Sequence, residues 1–444
     1  MYVHCLDKLL TEDFISCLNT YLLNLMGNFE MPLKKKKEHI TAGYGVGITF
    51  KVPYVFFGSV LGREEEQAVL RVLRNAQRTG AGLTMGAEVA EFEKEFASMC
   101  GTKYALTCSS CTTAMIIGSQ LFDLRPGDEV ITTPNTFVAT SLSIVKEGAR
   151  PVYVDINPRT FNIDPSKIEE KIGPKTKAVY VVHYGGQVCD MDPIMEIAEK
   201  HNLRVLEDCA HAPGAEYKGR KAGSFGDVGC FSFHSLKNMT TFEGGMITTN
   251  NDQYAEDIKN LRSVNIVDWE SQPEYWIPSH FDVRLPRGHW ANNYRMTEVQ
   301  GAFGRVQLRR LKENNEKRRK FGRYLNKGIE NIEGVHGVYE DPNCHHVYHL
   351  YTVTIDEDVL GCSRDDFMRV LTKEEGVQGI LHYQPTYHLT AFKKLGYYSE
   401  HECPEAEKFF YHREFNLPMH PRLTKRDLDI MIKALENTAK NVKR

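Results

Sequence analysis

Lys237 sits in Phe231-Ser232-Phe233-His234-Ser235-Leu236-Lys237, and Glu243-Gly244-Gly245 follows shortly after. Upstream, a strand-like run from Leu203 to Leu206 ends in Glu207-Asp208-Cys209-Ala210-His211. An acid at a strand end and a lysine on a later loop are the two anchors that pyridoxal 5'-phosphate (PLP) needs. The lysine amine forms a Schiff base with the aldehyde. The carboxylate keeps the ring nitrogen protonated, so the ring can accept electrons. Most lysines are surface charges, and Lys237 differs by its neighbours. Phe231, Phe233 and the Gly244-Gly245-Met246-Ile247 run predict apolar packing on both sides. A desolvated lysine has a depressed pKa, as a nucleophilic amine requires.

Other residues could complete such a site. Ser109-Ser110-Cys111-Thr112-Thr113 lies between a predicted strand and a predicted helix. Backbone N–H groups and hydroxyls at a helix start can bind phosphate, and a plain helix cap would read the same. Phe137 follows Thr132-Thr133-Pro134-Asn135-Thr136. It could cover one face of a cofactor ring or pack in the core. Asp208 needs a cation or donors where it is buried; pyridinium is one solution, and capping the segment from Cys209 is another. His211 could contact the cofactor or pack near the sheet edge.

These residues need a frame. Tyr104–Thr107, Glu129–Thr132, Val152–Val154 and Ala178–Val182 read as strands. Thr112–Leu121, Ala139–Lys146 and Pro193–Lys200 read as helices between them. Such alternation predicts an α/β fold with a large, mostly parallel sheet, whose ligands sit at the carboxyl ends of the strands. A helix begins at Arg63, with Ala68, Val69, Val72 and Leu73 on one face, and Val89, Phe92 and Phe96 form a second stripe. A long charged helix, Thr297–Tyr324, connects to a smaller α+β part. That part holds a strand at Tyr348–Thr354 and helices at Arg364–Leu371 and Asp427–Thr438. The expected division is an extension over 1–51, a large domain over 52–310 and a small domain over 311–444. In the extension, Ile15, Leu18, Leu22 and Leu25 suit a short amphipathic helix. Lys34-Lys35-Lys36-Lys37 and the glycine-rich Gly43–Gly47 follow.

The 444 residues, 41% of them hydrophobic, suffice for a sizeable core. Net charge is −3, from 55 basic and 58 acidic residues, which gives no reason to expect a nucleic-acid partner. The stretch from Leu9 to Met26 is interrupted by Glu12 and Asp13 and lacks a basic leader. No membrane span or signal peptide is expected, so the default location is cytoplasmic. Eleven scattered cysteines fit reduced thiols better than a disulfide framework. Cys108-Ser109-Ser110-Cys111 has no partner pair, and Cys344-His345-His346 with His349 reads as ordinary strand histidines. No metal site is expected.

From about Val52 onward the chain resembles the DegT/DnrJ/EryC1/StrS family of PLP-dependent sugar aminotransferases, of the aspartate aminotransferase fold type I. The resemblance rests on several motifs in order. They are Gly127-Asp128-Glu129-Val130-Ile131, Thr136-Phe137-Val138-Ala139-Thr140, Phe161-Asn162-Ile163-Asp164-Pro165 and Glu207 to Ala212. Gly223-Ser224-Phe225-Gly226-Asp227, Phe231 to Lys237, Glu243-Gly244-Gly245 and Asn293-Tyr294-Arg295-Met296 complete the set.

The resemblance implies that Lys237 is the Schiff-base lysine and proton shuttle, and that Asp208 pairs with the pyridine nitrogen. It puts His211 near the cofactor's phenolic oxygen. Ser110, Cys111, Thr112 and Ser232 fall on the phosphate, and Phe137 on the ring. Asn293 falls where the family reaches the phosphate of a neighbouring subunit, which implies a homodimer with shared sites. The implied reaction moves an amino group from glutamate or glutamine to a nucleotide-linked keto-sugar. A cyclitol ketone is the alternative acceptor. A sugar dehydratase of this family would carry histidine at the lysine position, and a non-catalytic homologue would not need Lys237 and Asp208. Three features depart from the family pattern. Cys111 and Phe242 stand where glycine is usual, and Asn265–Trp290, with Trp269, Trp276 and Trp290, is long.

Overall fold

Strand and helix alternate from Tyr104 onward, because each strand is apolar on both faces and each helix on one. The computed structural model describes residues 50–270, 280–397 and 401–442, all within one compact unit, Thr41–Arg444. The amphipathic stretch, the lysine run, the glycine-rich segment and Trp276 lie outside the described residues.

Seven strands form the main sheet: β1 (Tyr104–Cys108), β2 (Glu129–Thr132), β3 (Arg150–Tyr153), β4 (Thr176–Val182), β5 (Arg204–Asp208), β6 (Val228–Ser232) and β7 (Gly245–Thr249). Their order is β1-β7-β6-β5-β4-β2-β3, and only β7 runs antiparallel to its neighbours. Alternation along the central strands sorts side chains to two cores. Val179, Val181, Val205 and Phe231 join one; Ala178, Tyr180, Leu206 and Cys230 join the other.

Helices cover both faces. Helix α1 (Arg63–Thr79) precedes α2 (Ala87–Cys100), whose Val89, Phe92 and Phe96 enter the first core. Helix α3 (Cys111–Leu121) lays Ala114, Met115, Ile117 and Leu121 on the second. Helix α4 (Ala139–Lys146) follows β2. Only part of the apolar face expected on α1 is buried. Ala68 and Val72 pack on Ala302 and Val306, whereas Leu73 is 44% exposed because a single helix lies against that side.

Helix α5 (Glu298–Ile329) starts at Thr297, whose side chain caps the Gln300 N–H. Its far end, at Leu325 and Ile329, belongs to a third core. That core surrounds an antiparallel sheet of β8 (Val335–His336), β9 (Tyr351–Ile355) and β10 (Glu414–Leu417). Helices α6 (Arg364–Lys373) and α7 (Lys425–Asn441) cover it, and Val52 packs into it. β9 begins three residues later than the pattern suggests. Tyr348 has φ +45°, and the Val347 and Leu350 N–H groups donate to Gly186 and Gly185 carbonyls instead. The detour places His349 Nδ1 3.1 Å from Asn238 Oδ1.

Candidate active site

Four strand ends converge. Ser110 follows β1, Phe137 follows β2, Asp208 ends β5, and Lys237 lies on the turn beyond β6. These ends lie on the carboxyl side of parallel strands, where α/β folds place ligands. Between them is a cavity of about 460 Å³. Ser110, Cys111, Thr112, Phe137, Asp208, His211, Ser232 and Lys237 all line it. Asn293 does not; it is exposed, and its backbone pairs with Ser263.

Glu207 and Asp208 are adjacent on β5 and so point to opposite faces. Asp208, 4% exposed, faces the cavity. Its Oδ2 accepts from Thr140 Oγ1 at 2.7 Å and its Oδ1 from the Ala210 N–H at 3.0 Å. The Cys111 thiol stands 4.0 Å from Oδ1. Glu207 has a structural task. It accepts from the backbone N–H groups of Gly223, Phe225 and Gly226, and from His183 Nε2 at 3.0 Å. With Cys209 these residues gather three metal-ligand types within 4.8 Å. His183 Nδ1 is already taken by the Cys189 N–H, so protein hydrogen bonds use the ring and the carboxylate.

Lys237 is held by its own turn, with its N–H donating to His234 O at 2.9 Å. Phe231 and Phe233, fully buried, fasten the strand before it. Gly58 lies beneath this turn: a Cβ there would stand 2.5 Å from Lys237 O. Among the described residues no side chain hydrogen-bonds or ion-pairs with the Lys237 amine. Burial lowers its pKa from 10.5 to about 8, against the opposing pull of Asp208 and Cys111.

The helix α3 start is shaped for an anion. Ser110 caps it, accepting from the Thr113 N–H at 3.1 Å. The Cys111 and Thr112 N–H groups have no acceptor among the described residues, and they begin a helix whose dipole favours negative charge. Cys111 is the first helical residue, so glycine's freedom is not needed there. The close approach comes from Gly245 on β7, where a Cβ would lie 2.5 Å from Ser110 O and 2.8 Å from Cys111 N. Phe242, by contrast, does adopt φ +68°. Thr240 Oγ1 holds its N–H at 2.8 Å, and its ring rests 4.6 Å from that of Phe303.

These residues fit PLP. An amine without a partner, a donor-fixed buried carboxylate, a free pair of helix-start N–H groups and the 56% exposed Phe137 ring meet in one cavity. Sequence reasoning missed Thr140, Tyr54, His349, His382 and Tyr383, all at the cavity or on Asp208. Thr140 lies within a quoted motif. His349, read as an ordinary strand histidine, instead precedes β9 and lines the cavity, while Tyr54, His382 and Tyr383 lie far from the motifs in sequence and carry no local signal.

The sequence profile described as the DegT/DnrJ/EryC1/StrS aminotransferase family matches residues 60–436. The chain is 36% identical over 385 residues to the spore coat polysaccharide biosynthesis protein SpsC of Bacillus subtilis, covering 86% of this chain and 96% of that one. It is 39% identical over 354 residues to GDP-perosamine synthase of Caulobacter vibrioides, covering 80% and 90%. Among solved structures, the PLP form of Spr1654 from Streptococcus pneumoniae aligns with TM-score 0.78 at 27% identity, covering 88% and 99%. With its motifs, its type I fold and a cavity that suits the cofactor, the chain belongs to the DegT/DnrJ/EryC1/StrS aminotransferase family and is a PLP-dependent aminotransferase.

Proposed function

We propose that this aminotransferase moves an amino group from glutamate or glutamine to a keto-sugar, nucleotide-linked, in amino-sugar biosynthesis. The observation that carries the chemistry is the unpartnered Lys237 amine facing Asp208 across the cavity. The sugar part draws support from a relative that makes a GDP-linked amino sugar and another named for polysaccharide biosynthesis.

Bound PLP supplies an electron sink for the substrate carbon. Asp208, held by Thr140 and the Ala210 N–H, would pair with the ring nitrogen. The helix α3 start, Ser110 to Thr112, would hold the phosphate with Ser232, and Phe137 would cover the ring. His211, which lines the same cavity, would flank the ring on the side of its phenolic oxygen. Lys237 moves the proton at the substrate carbon, as base in one half and acid in the other. Its lowered pKa leaves part of the amine unprotonated at neutral pH. We assign Asn293 to the neighbouring subunit's phosphate, in a cytoplasmic homodimer with shared sites.

The test is a half-reaction. PLP-loaded protein is mixed with glutamate, then glutamine, and the visible absorbance followed. Loss of the resting band with growth of the amine-form band is expected, and the faster amino acid is the donor. A resting band that survives both would overturn the donor assignment. The amine form is then offered a nucleotide-linked keto-sugar and a cyclitol ketone, and preference for the latter would overturn the acceptor assignment.

A further inference from the structure

His211 is buried, and its Nδ1 accepts the Gly185 N–H at 3.3 Å. A ring nitrogen that accepts carries no proton, so this neutral imidazole bears its proton on Nε2. Nε2 lies 3.2 Å from the Tyr383 hydroxyl. It therefore donates to that oxygen, and the tyrosine's own proton must turn elsewhere. Among the described residues no acceptor takes it. Tyr383 lines the same cavity as Lys237 and Asp208, and its ring meets Phe137 edge-on, 6.1 Å between centroids. Burial raises the phenol's pKa, so the hydroxyl keeps its proton at neutral pH. A hydrogen bond received from His211 strengthens the one that the hydroxyl donates.

We propose that Tyr383 is a catalytic hydrogen-bond donor to the carbonyl oxygen of the keto substrate. In one half of the reaction a ketone is attacked by an amine; in the other a ketone is released. Charge builds on the carbonyl oxygen in both, and a donor fixed in advance stabilises it. Donor-derived and acceptor ketones occupy one site in turn, so the same hydroxyl serves both. No bond to the tyrosine forms or breaks. The inference rests on the aminotransferase reaction and not on which sugar or amino acid is used.

Tyr383→Phe retains the ring and its contact with Phe137. The holoenzyme, wild type and variant, is compared in single turnovers. The amine form is mixed with 2-oxoglutarate or pyruvate, whichever the wild type consumes. The PLP form is mixed with the matching amino acid. Both rates are expected to fall together, by about 10²-fold, with PLP content and thermal midpoint unchanged. The pH titration of the visible band should not move. Equal rates in wild type and variant would overturn the proposal, as would a loss confined to one half. A displaced titration would overturn it too, since the hydroxyl would then serve a cofactor oxygen.

Discussion

Lys237 combines two opposed influences. Burial disfavours its cation, whereas Asp208 and Cys111 favour it, and burial prevails. The sign of the consequence follows from proton counting. Below about pH 8 the lysine is protonated in folded and unfolded apoprotein alike. Between about 8 and 10.5 the unfolded chain binds more protons, so stability rises with pH. Lys237→Met removes this linkage. We expect the variant apoprotein to exceed wild type in stability at pH 7, with the gap narrowing as pH climbs from about 8 to 10.5. Urea unfolding at several pH values measures it, and a gap independent of pH would refute the assignment. Cofactor capture by wild-type apoprotein should accelerate over the same rise through pH 8, because only the free amine attacks.

Elements act here through close backbone contacts. Gly58 and Gly245 let two segments approach the lysine turn and the phosphate turn with no side chain between. Gly58 is further tied by its N–H to Ser235 O at 2.8 Å, and its carbonyl accepts from Arg318. Gly58→Ala inserts a methyl against backbone, which cannot yield as a side chain can. Overpacking of this kind costs about 1–3 kcal/mol. The expected outcome is weaker PLP retention, read by dialysis and absorbance, with the far-UV spectrum unchanged. Retention equal to wild type would show that the turn adapts. Arg318, fully buried, also donates to the Tyr348 and Met419 carbonyls, joining the third core to this turn.

For the whole molecule, we propose that the chain divides near residue 310, within α5, and that two copies share their sites. If Asn293 serves the partner's cofactor, Lys237→Ala and Asn293→Ala carried on opposite subunits damage the same site of a mixed dimer and leave the other intact. Each variant alone should be nearly inactive. Mixing them after subunit exchange should restore one intact site per hybrid, about a quarter of wild-type activity for random pairing. No recovery, with hybrids demonstrated by native mass, would place Asn293 in its own subunit's chemistry. The exposed Trp290, Leu285 and Phe281 lie in the long segment before Asn293.

Local patterns determined much on their own. Asp208 closes an apolar strand, and Lys237 follows another between aromatics. Ser110 stands at a strand-to-helix junction. Each is written in a few consecutive residues, since alternation and capping are short-range effects. Five of the seven strands of the main sheet, β1 to β5, were legible for the same reason, whereas β6 and β7 read only as apolar packing around Lys237. Tyr383 was not legible: it meets His211 across 172 positions of sequence, and Thr140 meets Asp208 across 68. Such contacts depend on how strand order and the detour before β9 bring distant segments together. The tautomer of His211, and with it the direction of the Tyr383 proton, follows from a backbone N–H at Gly185. Only tertiary structure could decide that, because hydrogen bonds between remote segments leave no periodicity in the chain.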